Sequence, residues 1–190
     1  MGRRDRVTMK ITPFKYEDGK MTVLDQRKLP GEEVYIEINT AEDIYNAIKT
    51  LAVRGAPAIG VAAAYGYFVA LKKWYDEETS YAFTEISTNC TPEGFLHEAK
   101  KLRDYIGSAR PTAVNLRWAL DRIYHKIEKP ALKMIEESED GLLSPAGVDE
   151  LIDIAEEETY EIHREDVEAC KSMGEYGLKL LKDGMGILTH

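Results

Sequence analysis

The spacing of apolar positions changes from two to about three and a half as the chain proceeds. Val34, Ile36 and Ile38 alternate with Glu33, Tyr35 and Glu37, the pattern of a strand with one face against a core. Lys20 to Gln26 reads as a second strand, with a turn at Leu29-Pro30-Gly31 between the two. Ile11 to Tyr16 followed by Glu17-Asp18-Gly19 predicts a third, joined by a hairpin, so the N-terminal part is expected to form a small antiparallel sheet.

From residue 40 the period is helical. Thr40 with Asp43 three positions on predicts a capped helix whose Ile44, Ala47, Ile48 and Leu51 share a face. The pattern breaks at Val53 to Ala56. From Pro57 it becomes apolar nearly all round, with Ala58, Gly60, Ala62, Ala63, Ala64 and Gly66 marking a central helix that others approach closely. Asp76 to Asn89 reads as a polar connection. Thr91-Pro92-Glu93 starts a helix with Phe95, Ala99, Leu102 and Ile106 on one stripe, ending at Gly107.

Pro111 opens a further amphipathic run through Leu116, Leu120 and Ile123 towards Ile135, which Pro130 should kink or divide. After an acidic break at Glu136 to Gly141, Ser144-Pro145 begins another helical region, with Glu156, Glu157 and Glu158 on a wet face. Gly174 and Gly177 are expected to interrupt the next segment, and Asp183-Gly184 to close it. Met185 to His190 is then a short β-prone run, the pattern of a crossover helix feeding a buried strand. The expected class is α+β, a small antiparallel sheet followed by a mainly helical bundle. Residues 1–10 are read as a tail, 11–182 as the sheet and helical domain, and 183–190 as the start of a second domain.

Composition narrows the partners. Hydrophobic residues at 44% and charged residues at 31% describe a globular chain rather than a disordered one. A net charge of −9 disfavours nucleic acid, and the basic Arg3, Arg4 and Arg6 read as a solvated tail. No run approaches the eighteen or so apolar residues of a membrane span, which leads to the expectation of a cytoplasmic protein. Cys90 and Cys170 have no paired spacing and are expected to be free thiols. His97, His125, His163 and His190 are scattered and make no metal constellation.

The candidate chemistry lies in Arg54-Gly55-Ala56-Pro57. An arginine and two residues with little or no side chain stand at the mouth of the apolar helix, where a ligand can approach free backbone N–H groups. The positive end of the helix dipole adds to the Arg54 charge, so a phosphate ester is the expected guest. Ser108-Ala109-Arg110-Pro111-Thr112 repeats the arrangement before the next long amphipathic run.

Three stretches carry a resemblance: Val23-Leu24-Asp25-Gln26-Arg27-Lys28-Leu29-Pro30, Val53 through Gly66, and Ala109-Arg110-Pro111-Thr112-Ala113-Val114-Asn115-Leu116. In this order they closely resemble the methylthioribose-1-phosphate isomerases of methionine salvage, a family that shares its fold with regulatory subunits of translation initiation factor 2B. The resemblance implies conversion of 5-methylthioribose 1-phosphate to the ketose 5-methylthioribulose 1-phosphate. It implies no cofactor and no metal, a sugar phosphate as ligand, and a homodimer. By the same resemblance Arg54, Gly55, Ala56 and Arg110 contact substrate, and Gly186-Ile187-Leu188-Thr189-His190 is the first strand of a Rossmann-like domain. The family's catalytic cysteine and aspartate match no position here; Cys90 and Cys170 do not fit the motif. The 190 residues alone are therefore expected to be inactive. Isomerases of 5-deoxyribose 1-phosphate or ribose 1,5-bisphosphate, a non-enzymatic initiation factor 2B-like subunit and a helical assembly domain are the competing readings.

Overall fold

The computed structural model describes residues 12–17, 19–82, 92–138 and 143–188. Strands β1 (Phe14–Glu17), β2 (Lys20–Leu24) and β3 (Tyr35–Ile38) form an antiparallel sheet in sequence order, with Phe14 opposite Val23 and Val23 opposite Ile36. Met21, Val23 and Ile38 are buried on the face that the alternation turns to the core, and Leu24 at the end of β2 is buried as well. The predicted strands were too long at both ends of the β2–β3 connection. The chain leaves β2 at Asp25, and Val34 is 37% exposed rather than inward. Ile11 and Asp18 of the predicted first hairpin lie outside the described residues.

Five helices complete the described fold. In α1 (Ala41–Lys49) the predicted cap is present in both directions: the Asp43 N–H donates to Thr40 Oγ1 at 3.1 Å, and the Thr40 N–H to Asp43 Oδ2 at 2.9 Å. Leu51 departs from the expected face. It lies beyond the helix at φ 63° and is 42% exposed, and this left-handed residue turns the chain so that the Val53 N–H reaches the Ala47 carbonyl at 3.1 Å. The reversal sends Ala52 and Val53 inward in its place.

Helix α2 (Ala56–Ala82) is the centre of the core, with residues 59–71 all buried. It runs through Asp76, where a polar connection was expected, because Tyr75 is still buried there and its hydroxyl donates to the Pro145 carbonyl at 3.2 Å. The close approach predicted for its glycines is found. A Cβ on Gly66 would lie 2.4 Å from Ile44 Cγ1, and one on Gly60 would lie 3.0 Å from the Asn115 carbonyl oxygen.

Helix α3 (Pro92–Gly107) buries Phe95, Ala99 and Ile106 on the expected stripe. Helix α4 (Val114–Glu137) is one helix through Pro130, not two. Fully buried Ile123, Ile127 and Ala131 anchor the turns around the proline, and that packing outweighs one missing N–H. Helix α5 (Pro145–Leu178) starts at the predicted Ser144 cap, whose Oγ accepts from the Gly147 N–H at 3.1 Å, and continues through Gly174 and Gly177 without a break. The predicted turn at Asp183-Gly184 forms, with Gly184 at φ 85°. Residues 185–188 form no strand: they have no hydrogen-bonded neighbour strand among the described residues, and Leu188 is 99% exposed. Among the described residues no helix is long and apolar enough to cross a membrane.

Candidate functional site

The loop that carries Arg54 is held from the sheet. As the chain leaves β2, the Gln26 N–H donates to the Ala52 carbonyl at 2.9 Å, and Gln26 Nε2 approaches the Arg54 carbonyl at 3.4 Å. Arg54 returns the contact through Nη2 to the Gln26 carbonyl at 3.1 Å. Beneath this, Asp25 is only 3% exposed and takes a fork from Arg27, Nε to Oδ1 and Nη2 to Oδ2, both 2.7 Å. The hydrogen bonds from Arg27 hold the Asp25 carboxyl below the usual carboxylate range. Arg27 Nη1 then donates to Thr50 Oγ1 at 2.9 Å, fixing the far side of the same loop.

Gly55 sits at φ 97°, a left-handed conformation that disfavours any residue with a Cβ. Space is not the constraint, since an added Cβ would meet only Ala58 Cβ, at 3.8 Å. The turn aims the chain into α2, whose first backbone bond runs from the Ile59 N–H to the Gly55 carbonyl at 2.9 Å. The N–H groups of Ala56 and Ala58 lie ahead of that bond, Pro57 has none, and the first turn carries no acidic residue.

The second helix mouth is built differently from the sequence expectation. Pro111 and Thr112 belong to a turn, closed by the Ala113 N–H on the Arg110 carbonyl at 2.9 Å, and α4 begins only at Val114. Ala113 caps it with no side-chain hydrogen bond. Arg110 is half-buried in this turn and stands four residues before the helix rather than at its first turn.

The two mouths meet. Gly60 lets α2 lie against the first turn of α4 at Asn115, and beside that crossing α5 closes a hollow of about 410 Å³. Pro57, Gly60 and Val61 line it from α2, Val114, Asn115 and Trp118 from α4, and Ile162, Glu165 and Asp166 from α5. Thus the structure brings together the helix entrances that carry Gly55, Ala56 and Arg110, but neither Arg54 nor Arg110 lines this hollow. Arg54 is exposed and turned to Gln26.

Behind Trp118 stands a charge cluster that the sequence pattern assigned to a wet face. Arg122 Nε donates to Glu158 Oε1 at 2.5 Å, and its Nη1 and Nη2 donate to Glu165 at 2.5 and 2.9 Å. Glu158 is 6% exposed and is also paired with Lys126 at 3.3 Å. The Arg122 hydrogen bonds hold the Glu165 carboxyl low and, with those to Glu158, push the guanidinium up. The guanidinium also stacks on the Trp118 ring at 5.3 Å. The signal missed was spacing: Glu158 lies three and seven residues from Ala155 and Leu151, which puts it on the buried stripe.

A second pairing links distant segments. Tyr65 on α2 and His163 on α5 meet at 3.0 Å between hydroxyl and Nδ1, with Phe14 of β1 against the imidazole at 5.1 Å. Burial pushes the Tyr65 phenol up to about 12, so it stays a neutral hydroxyl, and the imidazole tautomer sets which of the two groups donates. His97 and His125 are exposed. Cys170 is an exposed free thiol on α5, whereas Cys90 and His190 lie outside the described residues. Among the described residues no group of three or more His, Cys, Asp or Glu could hold a metal ion.

Residues 52–190 match the model of the initiation factor 2 subunit family, IF-2B. Proteins named 5-deoxyribose 1-phosphate isomerase are similar along most of the chain. The one from Bacillus cereus is 40% identical over 180 residues, covering 95% of this chain and 44% of the relative. The one from Clostridium botulinum is 42% identical over 182 residues, covering 95% and 45%. Two solved structures share the fold at 34% identity, each covering 92% of this chain. They are the eIF-2B subunit delta of A. fulgidus, with a TM-score of 0.68 over 43% of its chain, and the 5-methylthioribose 1-phosphate isomerase of Pyrococcus horikoshii OT3, with 0.66 over 44%. The chain spans about half the length of the curated relatives it matches.

Proposed function

The chain belongs to the initiation factor 2 subunit family, and within it we propose that these residues supply the sugar-phosphate grip of an aldose–ketose isomerase acting on a 5-substituted ribose 1-phosphate. The observation that carries the reading is the pairing of two uncapped helix mouths, one preceded by Arg54-Gly55 and the other by Arg110, on crossing helices. Free N–H groups at each mouth suit the anionic oxygens of a phosphate, and a guanidinium fork matches two of them at once. Both arginines would turn to the ester on binding. Arg54 has only a backbone carbonyl to give up, and the Arg110 side chain has no hydrogen bond or ion pair among the described residues.

The substrate named by the sequence resemblance was 5-methylthioribose 1-phosphate. The sequence relatives favour its alternative, 5-deoxyribose 1-phosphate, which we take as the leading candidate. In either ester the anomeric oxygen carries the phosphate, so spontaneous ring opening is blocked. The isomerase must open the furanose and then move hydrogen from C2 to C1. The part assigned to these residues is binding and orientation. No hydrogen-moving group is assigned among them, and binding by itself gives little acceleration. A homodimer, implied by the same family, belongs to this reading and is read out by light scattering.

The deciding experiment is calorimetric titration of the chain with 5-deoxyribose 1-phosphate, beside Arg54→Ala and Arg110→Ala. Each variant is expected to bind at least tenfold more weakly with an unchanged circular dichroism spectrum. Binding unaffected by both substitutions would refute the assignment. The similarity to the eIF-2B subunit delta supports a second reading, a non-enzymatic interaction domain, under which no sugar phosphate binds.

A further inference from the structure

We infer that the hollow between α2, α4 and α5 is the subsite for the C5 end of the sugar, with Trp118 as its specificity-determining wall. This rests on the reading of the chain as a sugar-phosphate binder. The hollow adjoins both helix mouths: Pro57 at its rim follows Ala56 directly, and Val114 is the first residue of α4. An ester whose phosphate sits on the N–H groups of those mouths has its opposite end directed along the first turn of α4. Val114 and Trp118 are one turn apart, about 6 Å along the axis, which is roughly the reach of a pentose ring.

The lining is divided in the way a sugar with one apolar end requires. Val61, Val114, Trp118 and Ile162 give it hydrocarbon, whereas Asn115 and Asp166 offer partners for ring hydroxyls. Asp166 disfavours phosphate on the α5 side, whereas the Glu165 charge is taken up by Arg122, and this sets the polarity of the bound ester. Trp118 is 47% exposed, an uncommon state for so large an apolar ring, yet it is not loose: Arg122 stacks on it and is itself clamped by Glu158 and Glu165. A rigid, half-open apolar wall is what distinguishes a methyl or methylthio group at C5 from a hydroxyl. The substrates in the names of the relatives above, 5-deoxyribose 1-phosphate and 5-methylthioribose 1-phosphate, both lack the 5-hydroxyl.

The test compares three ligands, 5-deoxyribose 1-phosphate, 5-methylthioribose 1-phosphate and ribose 1-phosphate, by titration of the chain and of Trp118→Ala and Val114→Ser. The expected result is that the two apolar-tailed esters bind about tenfold or more above ribose 1-phosphate. The preference should shrink to threefold or less in Trp118→Ala and fall in Val114→Ser, a change at a side chain that is 78% exposed and so spares the fold. In a Trp74→Phe background, Trp118 emission should respond to the apolar-tailed esters and not to inorganic phosphate. Sugar phosphates that bind without preference at C5, or with a preference both variants retain, would overturn the subsite and leave the sugar-phosphate reading standing. No binding of any ester would overturn both.

Discussion

One substitution made at three helical glycines tests how the loop carrying Arg54 is held. A Cβ added to Gly66 falls 2.4, 2.6 and 2.8 Å from Cγ1, Cβ and Cγ2 of Ile44. Ile44 is completely buried, and because its Cβ is itself one of the crowded atoms, no rotamer change relieves the overlap. Overpacking of this kind costs about 1–3 kcal/mol and occasionally more, while alanine in place of glycine in a helix returns about 1 kcal/mol. With the overlap at the severe end of that range, Gly66→Ala is expected to lose about 2 kcal/mol net. For a chain of this length that corresponds to a fall in Tm of roughly 4–8 °C.

At Gly60 the added Cβ lies 3.0 Å from the Asn115 carbonyl oxygen, a shortfall of a few tenths of an ångström, so the two terms nearly cancel and stability should change by less than about 1 kcal/mol. At Gly174 nothing lies within 4 Å, and Gly174→Ala should raise helix content through propensity alone. Urea denaturation and circular dichroism read all three. The order Gly66→Ala below wild type, Gly60→Ala near it and Gly174→Ala at or above it follows from the α1–α2 and α2–α4 approaches. A Gly66→Ala protein as stable as the parent would refute the seating of α1 on α2, and with it the support of the Arg54 loop, which descends from α1.

Two further outcomes concern charge. Arg27→Met leaves the buried Asp25 carboxylate without its guanidinium fork and is expected to destabilise the fold, which urea denaturation would read. Since the folded Asp25 value is depressed, the stability that Asp25 contributes is present above the ordinary carboxylate pKa and lost as pH falls through the folded value, and acid unfolding profiles of the variant should lack that step. For His163, burial lowers the pKa while Asp166 opposes the shift. Its contribution is present above the ordinary value of about 6.5 and is lost as pH falls from there towards the folded value. His163→Gln should flatten the thermal-stability profile over that range; an unchanged slope would exclude the Tyr65–His163 contact as its source.

The sequence by itself determined most of the elements and singled out the helix entrances to which the proposed chemistry is assigned. Local signals act over a few residues, and these were intact: the Thr40–Asp43 box, the Ser144 cap, the Phe95–Ala99–Ile106 stripe, and the arginine-glycine approach to α2. The glycine-rich face of that helix also announced close neighbours, though not which. Tertiary structure decided what depends on partners far along the chain. It carried α4 through Pro130, flanked by buried Ile127 and Ala131, and α2 through Asp76, next to buried Tyr75, because that packing outweighs a single propensity or a polar side chain. Residues 185–188 have no neighbour strand among the described residues, and a β-run is made by the partner that accepts its N–H groups. Tertiary structure turned Glu158 inward because Arg122, thirty-six residues earlier, supplies a compensating charge that no local pattern displays. And it set Trp118, with no polar signal of its own, on the wall of a hollow that exists only where α2, α4 and α5 converge.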